Sequence, residues 1–389
     1  MHLKSYRPPA SVSHRFGLYP PPAVSLMAAL VATLTAGHAD GFQSGSLVVL
    51  QMGDGGAALT SAAAQVSLLE YDISGQLRQS LAIPGTLGAA RLTVAGSSTS
   101  EGYLSLSADA GSLTLVGYDA AIGTAAIAST TSAAANRVID VVSASGGISR
   151  FASSASLLSG QNIRSGVIAG SDAWAVGSSG GTVLMTGGSP GSIYNAITTL
   201  RVANAVSGDL MFSTQSGTTT RGIYRFNGLP TASATPTQLI TTDSASRPVD
   251  FSFSANASVA YIADERSTGG GVQKWVNAGG VWSLSYTLNA GATRGARGLA
   301  VDFSGLNPVV YATTTQNELI KIIDSGGGSV ATVLAAAPAN VEWRGLEFAP
   351  IPEPGETAAV TGGVLVGLAA WHRRWKRQRS MAQVAITDC

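Results

Sequence analysis

The sequence predicts an all-β protein whose body is a β-propeller, and three observations support this fold class. Glycine is abundant (47 of 389 residues), while charged residues make up only 12% and strong helix formers are scarce in the middle of the chain. A strand pattern led by arginine returns roughly every 47 residues. The first and last repeats are each incomplete and complement one another, as in a ring of blades closed by both ends.

Each predicted repeat holds four strands. Six arginines lead the predicted first strands, at spacings of 46, 64, 46, 50 and 47 residues: Arg91, Arg137, Arg201, Arg247, Arg297 and Arg344. A second strand follows, a third ends in an Asp or Asn turn such as Tyr71-Asp72, and a fourth completes the unit. Four short strands at this period are typical of a propeller blade.

The number of blades follows from joining the two ends of the series. The predicted blades are 46–84 with 343–349, 91–130, 137–196, 201–241, 247–289 and 297–337. The long third unit carries an insertion around Phe151–Gly170 or is two degenerate blades, so seven blades are the alternative. A β-solenoid is the rival fold, but its coils would repeat every 20 to 30 residues or so, and no such period is present.

Residues 1–39 have the pattern of a cleavable secretory signal peptide that forms a helix. Three basic residues, Lys4, Arg7 and Arg15, precede an apolar stretch, and the small residues Gly37 and Ala39 occupy the −3 and −1 cleavage positions. The alternative is a first helix of the mature fold. We expect the export translocon and a signal peptidase as partners, and a mature propeller domain at 40–350.

Residues 351–389 contain three parts in order. The triplet Pro352-Glu353-Pro354 is followed by an apolar segment, 357–371, which is predicted to be a short transmembrane helix. A basic tail at 372–379 comes next and contains Arg373, Arg374, Lys376, Arg377 and Arg379. A Lys/Arg cluster next to an apolar segment holds that end of a chain in the cytoplasm.

These three parts resemble a PEP-CTERM sorting signal, over about 35 residues. The resemblance implies a bacterial exosortase substrate: an exosortase-like membrane protease recognises Pro352, Glu353 and Pro354, removes the tail and passes the protein to the cell surface. An uncleaved membrane anchor is the alternative. The expected location is therefore the cell surface, outer envelope or extracellular matrix, with transient attachment to the membrane.

Several kinds of chemistry are excluded by composition. All four histidines (His2, His14, His38, His372) and the single cysteine, Cys389, lie in the two terminal segments. The body therefore lacks His- or Cys-dependent catalysis and His- or Cys-ligated metals. The body also carries 15 basic and 20 acidic residues without a basic run. Nucleic acid is therefore not expected as a partner.

Carboxylates are the remaining candidates for a site. Asp140, Asp250 and Asp302 occupy matching places late in predicted first strands, and Asn204 is their counterpart in another unit. First strands line a propeller channel, so these groups are candidates for a polar ligand or for Ca²⁺. The alternative is that each Asp accepts hydrogen bonds from backbone donors. No cofactor and no catalytic residue is predicted. Asp264 with Glu265 is expected to be a solvated loop pair, and a metal-binding surface pair is the alternative.

The sequence thus predicts a non-enzymatic, exported propeller that binds an extracellular protein or polysaccharide, or serves as a structural component. The alternative is an enzyme, a carboxylate-dependent hydrolase or lyase that acts on an extracellular glycan or lactone. Carboxyl groups brought together in one pocket would favour the enzyme.

Overall fold

The computed structural model describes residues 41–352, apart from 87, 89 and 187–189. This part forms six four-stranded antiparallel sheets and one small two-stranded sheet. Its one helical element is a short 3-10 turn, Ile127–Ser129. The first strands of the sheets contact each other in a complete cycle, so the sheets are the blades of a six-bladed propeller around a channel. The predicted all-β propeller is confirmed.

The 26 strands are numbered here in chain order, and the first strand named for each blade is its inner strand. Blade 1 consists of β26 (Glu342–Phe348), β1 (Leu47–Met52), β3 (Val66–Tyr71) and β4 (Leu77–Ala82). Blade 2 consists of β6 (Ser105–Leu106), β7 (Ser112–Tyr118), β8 (Arg137–Ser143) and β9 (Ile148–Ser154). Blade 3 consists of β10 (Ile163–Ala169), β11 (Asp172–Gly177), β12 (Thr182–Leu184) and β13 (Gly191–Tyr194).

Blade 4 consists of β14 (Leu200–Val206), β15 (Asp209–Thr214), β16 (Gly222–Arg225) and β17 (Thr237–Thr241). Blade 5 consists of β18 (Pro248–Phe253), β19 (Val259–Asp264), β20 (Gly271–Ala278) and β21 (Val281–Leu288). Blade 6 consists of β22 (Ala296–Asp302), β23 (Val309–Thr314), β24 (Glu318–Ile323) and β25 (Thr332–Ala336). The small sheet pairs β2 (Ala63–Ala64) with β5 (Val94–Ala95).

Closure of the ring joins the two ends of the body. Strand β26 pairs antiparallel with β1 from Leu47↔Phe348 to Met52↔Glu342. This supplies blade 1 with its inner strand, as the complementary end repeats predict. Without this pairing the ring would have a gap, and the sheet edges on either side of the gap would lack partners.

The predicted boundaries of the second and third blades are wrong. Arg137 begins β8, the third strand of blade 2, and Arg91 precedes the inner strand β6. The long insertion lies at 119–136, between β7 and β8, and not around Phe151–Gly170. An Arg-led apolar strand is therefore not diagnostic of an inner strand, and the predicted unit 137–196 combines the last two strands of blade 2 with the four strands of blade 3.

The core lies between neighbouring blades. One cluster, for example, packs Leu47 and Trp343 of blade 1 against Tyr311 of blade 6. Trp174 and Trp343 are buried, and their indole N–H groups donate to the Pro230 carbonyl and the Gln51 side chain. The outermost strands are more exposed, so burial falls from the channel outward.

A β-bulge interrupts the inner strands of five blades close to where each begins. The extra residue appears in the pairing of β10, β14, β18, β22 and β26 with the second strand of the blade. Glycine follows the arginine in two of them, because a Cβ on Gly298 or Gly345 would overlap the backbone of the next inner strand. After the bulge, four residues share one level of the channel: Asn204, Ser252, Ala300 and Glu347.

Several predicted features fall outside the described residues. These are the signal peptide at 1–39, Glu353 and Pro354 of the triplet, the apolar segment 357–371 and the basic tail at 372–379. Within the described ranges, no helix is both long and apolar enough to cross a membrane.

Candidate functional site

A cavity of about 340 Å³ opens where the inner strands end. Its walls come from five of the six blades and combine polar groups with three phenylalanines and several aliphatic side chains. The lining residues that matter below are Leu106, Asn204, Phe251, Ser252, Leu299 and Glu347. A cavity of this size that joins apolar side chains to a few polar groups is typical of a small-molecule site.

Glu347 is the one ionisable residue among the described residues that line this cavity. Its carboxyl accepts hydrogen bonds from the backbone N–H of Phe348 and from that of Leu106 in the next blade. Burial raises the pKa of Glu347 well above its usual range, and the nearby Asp250 carboxyl raises this pKa further. A glutamic acid whose pKa is raised keeps its proton to a higher pH, as a general acid requires.

Asp250 lies within the bulge of β18 and is 1% exposed. Its carboxyl oxygens accept hydrogen bonds from Phe251 N at 2.8 Å and from Leu299 N, in blade 6, at 3.0 Å. Burial outweighs these two hydrogen bonds and raises the pKa of Asp250 to about 8. Asp250 and Glu347 thus bridge neighbouring blades in the same way, and their carboxyls are coupled in titration.

Asp250 makes stability depend on pH. The carboxyl has a pKa of about 8 in the folded protein, and an aspartate in an unfolded chain has about 3.9. Between these values the folded state binds more protons, so the free energy of unfolding falls as pH rises, by up to about 1.4 kcal/mol per pH unit. We expect urea unfolding to show lower stability at pH 8 than at pH 5, and Asp250→Asn to flatten this difference.

The matched control for that measurement is Asp302→Asn. Hydrogen bonds from Ser304 lower the pKa of Asp302, so this carboxyl does not titrate between pH 5 and 8. The control should keep the wild-type pH slope. An Asp250→Asn variant with that same slope would show that Asp250 ionises normally.

The other predicted channel residues lie at different places. Asp140 is on β8, the third strand of blade 2, where it is buried and pairs with Arg150. Asp302 ends β22 and accepts a hydrogen bond from Ser304 N at 2.8 Å. Asn204 does line the cavity. Asp140 differs because β8 is a third strand, and Asp250 differs because Arg247 lies two residues before the arginine position of the other inner strands.

No group of three or more His, Cys, Asp or Glu residues in the described part of the chain is placed to hold a metal ion. The prediction that Asp264 and Glu265 form a solvated loop pair is also wrong. Asp264 is buried and pairs with Arg266, and Glu265 lies between two arginines of the channel.

Sequence reasoning missed Glu347, although a signal was present. In the segment Arg344-Gly-Leu-Glu-Phe, the glutamate directly follows a buried leucine in an inner strand. A charged residue at such a position is a candidate for a functional site.

No protein-family model matches the sequence, and no curated protein is similar to it. Among solved structures, a periplasmic gluconolactonase from Pseudomonas aeruginosa is similar at 15% identity and TM-score 0.44, over 75% of this chain and 83% of that one. A chain of a nidogen/laminin complex is similar at 11% identity and TM-score 0.46, over 79% and 100% of the two chains. A putative 6-phosphogluconolactonase from Bacteroides fragilis is similar at 14% identity and TM-score 0.42, over 75% and 84%.

The predicted absence of enzymatic activity is corrected at this point. The prediction assumed that the channel carboxyls only cap strand ends, whereas Glu347 lines a cavity and burial raises its pKa.

Proposed function

We propose that this protein is a hydrolase that opens a small cyclic ester, a lactone, in the cavity at the end of the channel. The observation that carries the proposal is Glu347, whose carboxyl lines the cavity and has a pKa raised by burial and by Asp250. Strongly raised carboxyl pKa values in cavities are characteristic of acid–base catalysts.

The chemistry needs one water molecule and one shuttled proton. A water oxygen forms a bond to the ester carbonyl carbon, and the bond between that carbon and the ring oxygen breaks. Glu347 donates its proton to the departing ring oxygen and recovers a proton from the attacking water. The carboxyl is thus regenerated, and the product is a hydroxy acid. Asp250 is fully buried and acts on the charge of Glu347, so it is a positioning residue.

The size of the cavity favours a lactone over a polymeric glycan. A volume of about 340 Å³, enclosed by inner strands of five blades, suits one sugar-sized ring. A polysaccharide chain would need a groove that continues past the reacting unit. Asn204 and Ser252 add side chains that can hydrogen-bond to hydroxyl groups on such a ring.

The test is hydrolysis of glucono-1,5-lactone by the purified full-length chain, followed as acid release in a pH-stat with the spontaneous rate subtracted. This lactone is the first probe because gluconolactonase activity is named for one of the similar structures. We expect saturable hydrolysis that declines as pH rises through the raised pKa of Glu347. A panel of sugar lactones and small glycosides hydrolysed at the spontaneous rate would contradict the proposal.

We further propose that the two ends of the chain direct export and surface sorting. The supporting pattern is a signal-peptide sequence ending at Ala39, together with Pro352-Glu353-Pro354, an apolar segment and a basic tail. In producing cells, mass spectrometry of the surface fraction should find a mature N-terminus at Asp40 and no peptide beyond Pro354. Surface protein that retains Cys389 would show an uncleaved anchor, and intact protein in the cytosol would refute export.

A further inference from the structure

Four arginines meet in the channel where the inner strands begin. Arg201, Arg297 and Arg344 each occupy the first residue of the bulge, and Arg164 occupies the bulge of β10. Val249 takes this position in blade 5, so Arg247, two residues earlier, is not part of the set despite its place in the sequence repeat. Arg164, Arg201, Arg297 and Arg344 are called the arginine ring below.

The arginine ring is buried. Arg344 is 1% exposed and the other three are each 8% exposed. Tyr103, from blade 2, lies within electrostatic reach of Arg201, Arg297 and Arg344, so these side chains converge on one region. Burial, and then the neighbouring Arg201, lower the pKa of Arg164 to about 10. Like charges are therefore crowded in this region.

Carboxylates offset only part of this charge. Glu265 lies 3.3 Å from Arg201 and 3.5 Å from Arg297. Glu342 lies 2.5 Å from Arg344 and 3.9 Å from Arg297. Arg164 has no ion pair among the described residues. Its Nη1 donates to the Leu200 carbonyl at 2.9 Å.

One further carboxyl is within electrostatic reach of Arg164. This is Glu101, which is buried and accepts hydrogen bonds from Ala95 N, Tyr118 and Asn162. The four guanidinium groups thus face Glu265 and Glu342 in ion pairs and Glu101 at longer range, and burial raises the pKa of the Glu101 carboxyl. An excess positive charge remains in a buried region, which is costly without a counter-charge.

Several donors of the arginine ring also lack an acceptor. Arg201 has no hydrogen-bond partner at Nε or Nη1, and the Nε groups of Arg164 and Arg344 have none within the described residues. Arg201 is nine-tenths buried, so water does not readily replace the missing acceptor. A buried donor left without an acceptor destabilises the protein, and more so when the donor is charged.

We infer that the arginine ring binds an oxyanion, a carboxylate or phosphate group, that accepts from these free guanidinium donors. Guanidinium groups match the paired oxygens of both anions, and the excess charge supplies the attraction. The ring lies about 10 Å from the cavity, because Arg344 and Glu347 are three residues apart on one strand. This site goes beyond the proposed hydrolysis and does not require it.

The test uses the full-length chain without any substrate. Its melting temperature is measured against increasing inorganic phosphate, and separately against acetate, with sodium chloride holding the ionic strength constant. We expect a saturable rise with at least one of the two anions and none with chloride. A response to phosphate alone identifies a phosphate site, and a response to both identifies a general oxyanion site. Arg201→Met should weaken the affinity about 10-fold or more.

Arg225→Met is the matched control, because Arg225 is 45% exposed on the third strand of the same blade and pairs with Asp209. It should keep the wild-type anion response. If Arg201→Met does not fold, Arg164→Met and phosphorus NMR line broadening with wild-type protein test the same site. The inference is overturned if neither anion stabilises more than chloride does, or if the ring variants respond like wild type.

Discussion

Glu347→Gln should lower the rate of lactone hydrolysis about 100-fold or more while the protein stays folded. A glutamine has the same shape and keeps an oxygen that accepts from Leu106 N, but it has no proton to give to the ring oxygen. General acid–base catalysis contributes about 10²- to 10⁴-fold, and the substitution removes it. Because Glu347 provides the proton and is not the main source of binding, we expect the loss in kcat and little change in KM.

The control is Glu318→Gln, the same exchange on β24, the third strand of blade 6, where Glu318 pairs with Arg294. This variant should hydrolyse the lactone at the wild-type rate.

Asp250→Asn tests the coupling between the carboxyls, since loss of the neighbouring negative charge lowers the pKa of Glu347. The alkaline limb of its rate profile should move to lower pH. A Glu347→Gln enzyme with wild-type activity would refute the role given to Glu347.

Arg137→Met should lower the free energy of unfolding by about 3 kcal/mol. Arg137 is fully buried, and its guanidinium donates to the carbonyls of Ala128, Thr130, Ala135 and Gln161. These bonds hold the 119–136 insertion against blade 2 and the chain that leads into blade 3. Methionine fills the space and relieves a buried charge, but it leaves several carbonyls unpaired. We expect the loss of hydrogen bonds to win, because bonds to a charged donor are worth about 1.5–3 kcal/mol each.

Urea unfolding followed by tryptophan fluorescence measures this effect. Arg137→Lys separates charge from geometry, because lysine keeps the charge but has three donors and no planar fork. It should also be destabilised, by less than the methionine variant. A methionine variant as stable as wild type would show that the cost of burying the charge cancels its hydrogen bonds.

Much of the fold follows from the sequence for a simple physical reason. A blade needs four strands and a turn after each, so its period is visible even when the residues vary. The incomplete first and last repeats are then expected to pair, because together they make one complete blade. The strand roles within blade 2 do not follow, because Arg137-Val-Ile-Asp has the same apolar pattern as an inner strand. The same apolar residues suit a strand that is buried between two blades and a strand that lines the channel.

The site is harder to predict because the β-bulges move residues by one position. Asp250 and Asp302 look equivalent in the sequence, yet one lies in a bulge and the other ends its strand. Glu347 lines the cavity, whereas Ala300 and Ser252 stand at the same level in other blades. Arg164 is missed for a different reason, because its strand β10 begins inside the unit 137–196 that the repeat assigned to Arg137.

The most direct test of the central claim is the protonation state of Glu347 itself. Difference infrared spectroscopy between wild type and Glu347→Gln isolates the C=O stretch of this one protonated carboxyl as pH is raised. We predict that the band persists well above the pH at which an ordinary glutamate ionises. A band that is lost near pH 4.3 or so, where an ordinary glutamate ionises, would contradict a proton-donating role for this residue.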